Sequence, residues 1–339
     1  MSILVAPDSF KGTYTAAEVA ANIAAGIRSA GGAAVELPVA DGGEGTFDVV
    51  FRGLEAQPLS LPTVGPWGDE TTAVIGLSDG GTAIVELASA SGLNLPTGKP
   101  RDPVAASTYG TGVLIAEAAR RGARRILVAA GGSATTDGGA GAISAIDDAG
   151  GLRGAELVVL SDVTTRFTDA ARVFGPQKGA DPATVLLLTR RLERLAETLK
   201  RDPRTVDRSG AAGGFAGGMW AQYDASLVSG ADFVLDLLGI DEQIAASGAV
   251  VVGEGRLDSQ TSQGKIIAAI LARSGSVPVY AVVGSVHEDL GSYADKFAGI
   301  IIAGDGPAMA AAGARIAAQT GPKPGTSITD TAREPHPGN

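Results

Sequence analysis

Residues 3–12 read Ile3-Leu4-Val5-Ala6-Pro7-Asp8-Ser9-Phe10-Lys11-Gly12. The first four are apolar and read as a buried strand. A proline then opens a short polar run holding one acid, one base and a closing glycine. The next segment, 16–30, carries apolar residues at helical spacing, with Thr15 and Glu18 placed as a capping box. A strand is expected over 34–40 and a helix over 46–53. Short β-rich runs alternating with Ala-rich helical runs mark an α/β domain with a mostly parallel sheet.

Further along, residues 57–95 change character, with proline and glycine punctuation. Alternating runs at 72–76 and 82–87 are separated by Asp79-Gly80-Gly81, a hairpin signal. Helices are expected over 112–121 and 184–200, and a strand over 125–130. From Ala231 the first pattern returns, with strands at 249–253, 279–283 and 299–303 and a helix over 265–274. The sequence thus predicts a doubly wound, mostly parallel α/β sheet domain from residues 1–60 and 231–320. An α+β domain over 61–230 is inserted into it, with an active-site cleft between the two and a flexible tail over 321–339.

Composition narrows the function classes. At 339 residues there is room for two domains. A formal net charge of −10 and a pI near 4.8 argue against a nucleic-acid or anionic-membrane binder. No cysteine is present, which removes disulfides, thiol chemistry and Cys-ligated zinc. His287 and His336 have no ligand spacing. No apolar run reaches the ~18–20 residues of a membrane span, and no secretory signal opens the chain. A cytoplasmic protein acting on a small molecule is the expectation; homo-oligomer formation is left open.

In open α/β sheets ligands bind beyond the carboxyl ends of the strands, and here those ends are where glycine and charge gather. The first strand runs into Asp8 to Gly12 and the second into Asp41-Gly42-Gly43-Glu44-Gly45. The strand at 125–130 runs into Gly131-Gly132-Ser133-Ala134-Thr135-Thr136-Asp137-Gly138-Gly139. The strand at 249–253 runs into Glu254-Gly255-Arg256-Leu257-Asp258. Glycines there let backbone N–H groups approach an anion, carboxylates suit Mg²⁺, and Lys11, Lys178, Arg256 and Lys265 can neutralise phosphate. One such turn is more often ordinary turn chemistry, and Asp8 or Asp41 alone could be a helix cap. The pattern at four strand ends together is the parts list of phosphoryl transfer. Generic nucleotide motifs are incomplete: before Gly264-Lys265, Ser259 stands where a P-loop has its first glycine, and Ile266 replaces the Ser/Thr.

At these residues the chain resembles the bacterial glycerate kinase family of the first type. The resemblance is carried by APDSFKG at 6–12, ADGGEGT at 40–46, GGSATTDGGAG at 131–141, FGPQKGA at 174–180 and GEGRLDSQTSQGK at 253–265, in unchanged order. It implies a two-domain α/β kinase that phosphorylates D-glycerate with ATP and Mg²⁺. On that basis Asp8, Lys11, Asp41 and Arg256 are the expected catalytic residues, with Asp8 or Asp41 taking the hydroxyl proton. Ser9, Gly42, Gly43 and Glu44 are expected to bind the substrate. Gly131, Gly132, Ser133, Thr135, Asp137, Lys178 and Lys265 would bind the nucleotide, and Glu254 with Asp258 the metal. The product is expected to be 2-phosphoglycerate, with 3-phosphoglycerate the other choice. A non-catalytic glycerate or nucleotide sensor and a nicotinamide-dependent hydroxy-acid dehydrogenase are the alternatives; the second lacks a complete dinucleotide fingerprint and a catalytic histidine. Two departures from the family stand out. Length is missing between residues 145 and 158, and Ser161-Asp162-Val163-Thr164-Thr165 lacks the Asp-Asn-Pro that usually follows Asp-Val, which puts a role for that loop in doubt.

Overall fold

The computed structural model describes residues 1–258, 266–287 and 290–320. Lys265 and the tail expected over 321–339 lie outside the described residues. The strands are β1 (Ser2–Pro7), β2 (Ala34–Glu36), β3 (Gln57–Val64), β4 (Glu70–Leu77), β5 (Thr82–Glu86), β6 (Arg125–Ala129), β7 (Glu156–Ser161), β8 (Ser226–Ser229), β9 (Ser247–Leu257), β10 (Val279–Val286) and β11 (Gly299–Ile302). The helices are α1 (Ala16–Ser29), α2 (Thr46–Gly53), α3 (Ala88–Ser91), α4 (Tyr109–Arg120), α5 (Ala140–Asp148), α6 (Ala170–Phe174), α7 (Pro182–Ala196), α8 (Phe215–Tyr223), α9 (Gly230–Leu237), α10 (Ile240–Ala245), α11 (Ile266–Arg273) and α12 (Gly306–Thr320).

These strands form two sheets. The first is five-stranded, in the order β11-β10-β9-β1-β2, and every pairing in it is parallel. Its strand order reverses between β1 and β9, and such a switch point leaves a crevice at the carboxyl ends of the two strands. The second sheet runs β3-β4-β5-β6-β7-β8, antiparallel from β3 to β5 and parallel from β5 to β8. Residues after β8 return the chain to the first sheet at β9.

Alternation along the strands explains how the sheets stack. Ile3 and Val5 of β1 join Val19, Ile23, Ile27 and Met309 in a core under α1 and α12. Leu4 and Ala6 point the other way, into a core that also takes Val49 and Val50 of α2 and Val234 and Leu235 of α9. That same core receives Ile84, Leu127, Ala129, Val158 and Leu160 from the second sheet. The opposite face of the second sheet, Ile126, Val128, Leu157 and Val159, packs under α4, α5 and α8. Both sheets are therefore covered on both faces, as parallel sheets require, and they share one apolar layer containing α2 and α9.

The capping box at Thr15 forms as its spacing predicts, the hydroxyl accepting from the Glu18 amide at 3.2 Å and the Thr15 amide donating to Glu18 at 2.8 Å. Strand β2 stops at Glu36, short of the expected residue 40, because Pro38 has no N–H for a ladder. The Leu37 and Val39 amides still donate to Val5 and Pro7 at 2.8 and 3.0 Å, which carries the chain alongside β1 as far as Asp41.

Candidate active site

Three loops meet because glycine lets their backbones touch. A Cβ on Gly131, after β6, would sit 2.9 Å from Gly43 Cα, after β2. Gly42, at φ +106°, packs on the backbone of Ser161 and Asp162 beyond β7, and a Cβ on Gly230 would collide with Gly42 Cα. These contacts tie the strand ends of the two sheets together. The amides of Gly42 and Gly43, expected at the substrate, are engaged within their own loop. The Gly42 amide donates to Thr46 Oγ1 at 3.0 Å and the Gly43 amide to Asp41 Oδ1 at 2.9 Å.

At the switch point a cavity of about 570 Å³ is lined by Asp8, Asp41, Glu254, Arg256, Asp258 and Ser285, with Lys11 at its edge. Asp8 and Asp41 are buried, with 6 % and 5 % of their surface exposed. The Ser9 amide donates to Asp8 Oδ1 at 2.6 Å, so it too is taken, whereas the buried Ser9 hydroxyl has no partner among the described residues. Burial, and then the neighbouring Asp41, push the Asp8 carboxyl up to about 8. Lys11 makes no ion pair shorter than 4 Å with a described residue. Burial weakens its ammonium, but Asp41, Asp8, Asp162 and Glu44 together outweigh that and raise it above the usual lysine range. Arg256 is exposed and forms no ion pair with a described residue.

Across Lys11 lies a second cavity of about 430 Å³, lined by Gly43, Glu44, Gly131, Gly132, Ser133, Asp162 and Lys178. The amides of Gly131, Gly132 and Ser133 donate to no described residue, while their neighbours Ala130 and Ala134 donate to Leu160 and Ser91. With Gly132 at φ +69°, three successive open amides make a concavity suited to an anion. Lys178 closes it from behind, donating to Ser133 Oγ at 2.8 Å and to the Thr135 carbonyl at 2.6 Å. Burial pulls its ammonium down to about 7, with Asp137 acting the other way.

Two residues expected at the nucleotide lie behind this wall. Asp137 is fully buried, and its oxygens accept from the Thr108 amide and hydroxyl, both at 2.8 Å, and from the Gly139 and Gly141 amides. It holds the start of α5. Thr135 is buried and meets Lys178 through its carbonyl. Glu254 lies in β9 and Asp258 follows its last residue; both line the first cavity and both act on Tyr293. Glu254 also acts electrostatically on Asp8. Among the described residues no group of three or more acidic or histidine side chains is placed to hold a metal. Mg²⁺ that accompanies phosphates usually takes one or two protein carboxylates and its other oxygens from phosphate and water, and Asp8, Asp41, Glu254 and Asp258 are carboxylates lining the first cavity.

Sequence reasoning also missed three residues. Asp162 lines the anion cavity and acts on Lys11, so the loop after β7 takes part despite its unusual sequence; only its neighbourhood in space reveals that. Glu86 ends β5 beside Glu44 and Asp48, and burial followed by those two acids raises its carboxyl. Tyr293 is buried, its hydroxyl has no partner among the described residues, and it is pushed up to about 12 by burial, then by Glu254 and Asp258.

A sequence model of the Glycerate kinase family matches residues 3–149 and 148–318. The chain belongs to the glycerate kinase family. Its two matched parts meet at residues 148–149, inside the stretch where this member was expected to be shortened. The glycerate 2-kinase of Escherichia coli K12 is 37 % identical over 331 residues, covering 86 % of this chain and 87 % of that protein. A glycerate kinase of Bacillus subtilis is 36 % identical over 329 residues, covering 85 % and 86 %. A crystal structure assigned as glycerate kinase 2 from Salmonella typhimurium LT2 superposes with a TM-score of 0.80 at 31 % identity, covering 94 % of this chain and 98 % of that one. This family member accordingly has the fold of that structure.

Proposed function

We propose that this chain transfers the terminal phosphoryl group of ATP to a hydroxyl of D-glycerate, giving 2-phosphoglycerate. The observation that carries the proposal is the position of Lys11, shared by the carboxylate cavity on one side and the open-amide cavity on the other. The acceptor sits with Asp8 and Asp41, where Arg256 meets its carboxylate. The donor's phosphates lie against Gly131, Gly132, Ser133 and Lys178. The reacting oxygen and phosphorus then come together beside Lys11, whose ammonium offsets the charge on the transferring group.

Asp8 is the base. A carboxyl with a pKa near the working pH accepts the hydroxyl proton more effectively than an ordinary aspartate. Glu254 or Asp258 would lend one carboxylate to Mg²⁺. The ion neutralises phosphate charge when it is bound. Among the described residues no helix is long and apolar enough to cross a membrane, and a cytoplasmic location accords with the composition.

The decisive experiment supplies ATP, Mg²⁺ and D-glycerate and follows ADP release with a coupled assay, then reads the product by phosphorus NMR. A resonance coupled to the C2 proton establishes the 2-phosphate. Absence of glycerate-dependent ADP release would remove the kinase reading and leave a binding protein.

A further inference from the structure

Lys178 has an arrangement that an ordinary phosphate-binding lysine does not need. Its side chain is buried, with 5 % of its surface exposed, and no carboxylate lies within 4 Å of Nζ among the described residues. Its two hydrogen-bond acceptors, Ser133 Oγ and the Thr135 carbonyl, are both uncharged. An ammonium so placed carries a desolvation cost that these acceptors do not repay. A neutral amine has two N–H bonds, and the two acceptors match them one for one. A third hydrogen would appear only on protonation.

The groups around Lys178 define what can protonate it. Asp137, behind it, has both oxygens engaged by α4 and α5 backbone or by Thr108. Across the cavity stand Asp162 beyond β7, Glu44 ahead of α2, and Lys11. Gly131, Gly132 and Ser133 line that cavity, and their amides donate to no described residue. An anion drawn to these amides would bring to Lys178 the counter-charge it lacks.

We propose that the cavity between Gly131 and Lys178 captures a phosphate group together with one proton, and that the proton goes to the Lys178 amine. Solvent supplies the proton, the amine lone pair takes it, and the third N–H then serves the bound phosphate. The pull of burial toward about 7 is consistent with an amine that is largely neutral in the empty protein at mildly alkaline pH. The inference rests on the donor-site reading above.

Calorimetry of ADP binding, without metal, in two buffers of different ionisation heat tests it. At pH 8.5 the phosphates are already ionised, and uptake of ~1 proton per ADP bound is expected; near pH 6 Lys178 itself takes up only ~0.1, and protons leaving the ADP phosphate lower the net uptake further. The affinity for ADP should fall by up to ~10-fold per pH unit above neutrality. Lys178→Met should abolish the uptake, and Lys178→Arg, which stays charged, should bind ADP with no proton linkage.

Asp8 also titrates in this range, so Asp8→Asn is the control and should retain the uptake. Zero uptake by the parent protein at pH 8.5, or undiminished uptake by Lys178→Met, overturns the inference; the first applies even if neither Lys178 variant folds. ADP binding without uptake leaves the donor site standing, whereas no ADP binding at any pH removes both.

Discussion

Asp8 is a carboxyl whose proton is held by burial and by Asp41, and two consequences follow with definite sign. A raised folded pKa means that its contribution to stability is complete below the unfolded value, near 3.8, and is lost as pH rises through about 8. Asp8→Asn, which cannot ionise, should therefore gain stability relative to the parent at pH 8 but not at pH 4, by about 4 °C or more in Tm. Equal Tm differences at the two pH values would show that Asp8 is not the strained group. The same substitution should lower kcat by about 10²–10⁴-fold. In the parent enzyme kcat/KM for D-glycerate at saturating ATP should rise with pH toward a plateau above about 8. Asp41→Asn removes one of the two main causes of that shift, so its weaker activity should reach the plateau at lower pH. An unmoved limb in the Asp41 variant would mean that another group sets the profile.

At the scale of elements, glycine does two separate jobs that substitution can tell apart. Gly26 of α1 faces Ala310 of α12, and Gly313 of α12 faces Ile23; a Cβ at either position would enter the opposing backbone. Those helices cover the outer face of the first sheet, away from the cavities. Gly131 instead holds two loops in contact at the site. Gly26→Ala should cost stability, about 1–3 kcal/mol by overpacking, with little change in KM for either substrate. Gly131→Ala should lower Tm less than Gly26→Ala, its Cβ meeting backbone at 2.9 Å rather than 1.8 Å, yet lower kcat/KM by about 10²-fold, the expected result of a ~1 Å displacement of positioned groups. Melting curves and steady-state kinetics on the two variants make the comparison. The helical spacing and capping box of α1 could be read locally. Strands β3, β7 and β8 could not: β3 contains Pro58 and Pro62 and lies at a sheet edge, where proline is tolerated, and β8 is four residues long.

For the whole molecule, the governing feature is the apolar layer shared by both sheets through α2 and α9. Exposing either sheet exposes half of that layer, so neither half is expected to melt first. Both tryptophans, Trp67 and Trp220, belong to the part of the chain that builds the second sheet, whereas far-UV circular dichroism reports on both sheets. Thermal or denaturant unfolding followed by the two signals should give coincident transitions. A fluorescence transition separated from the dichroism transition would show that the shared layer does not couple the halves.

The sequence alone was enough for the alternating α/β pattern, for the strand ends where acid, base and glycine collect, and for the family. Each of these is written in neighbouring residues: apolar runs make strands, periodic ones make helices, and the polar residues after a strand must lie at its end. Only the tertiary structure decided which of those groups meet. Asp8 was separated from Asp41 and Glu254 by long stretches of chain until β1 lay between β2 and β9. The amides of Gly42 and Gly43 were closed by Thr46 and Asp41 of their own loop, while those of Gly131 to Ser133 were left without a described acceptor. Through-space charge is a property of packing between distant segments, and no local spacing records it.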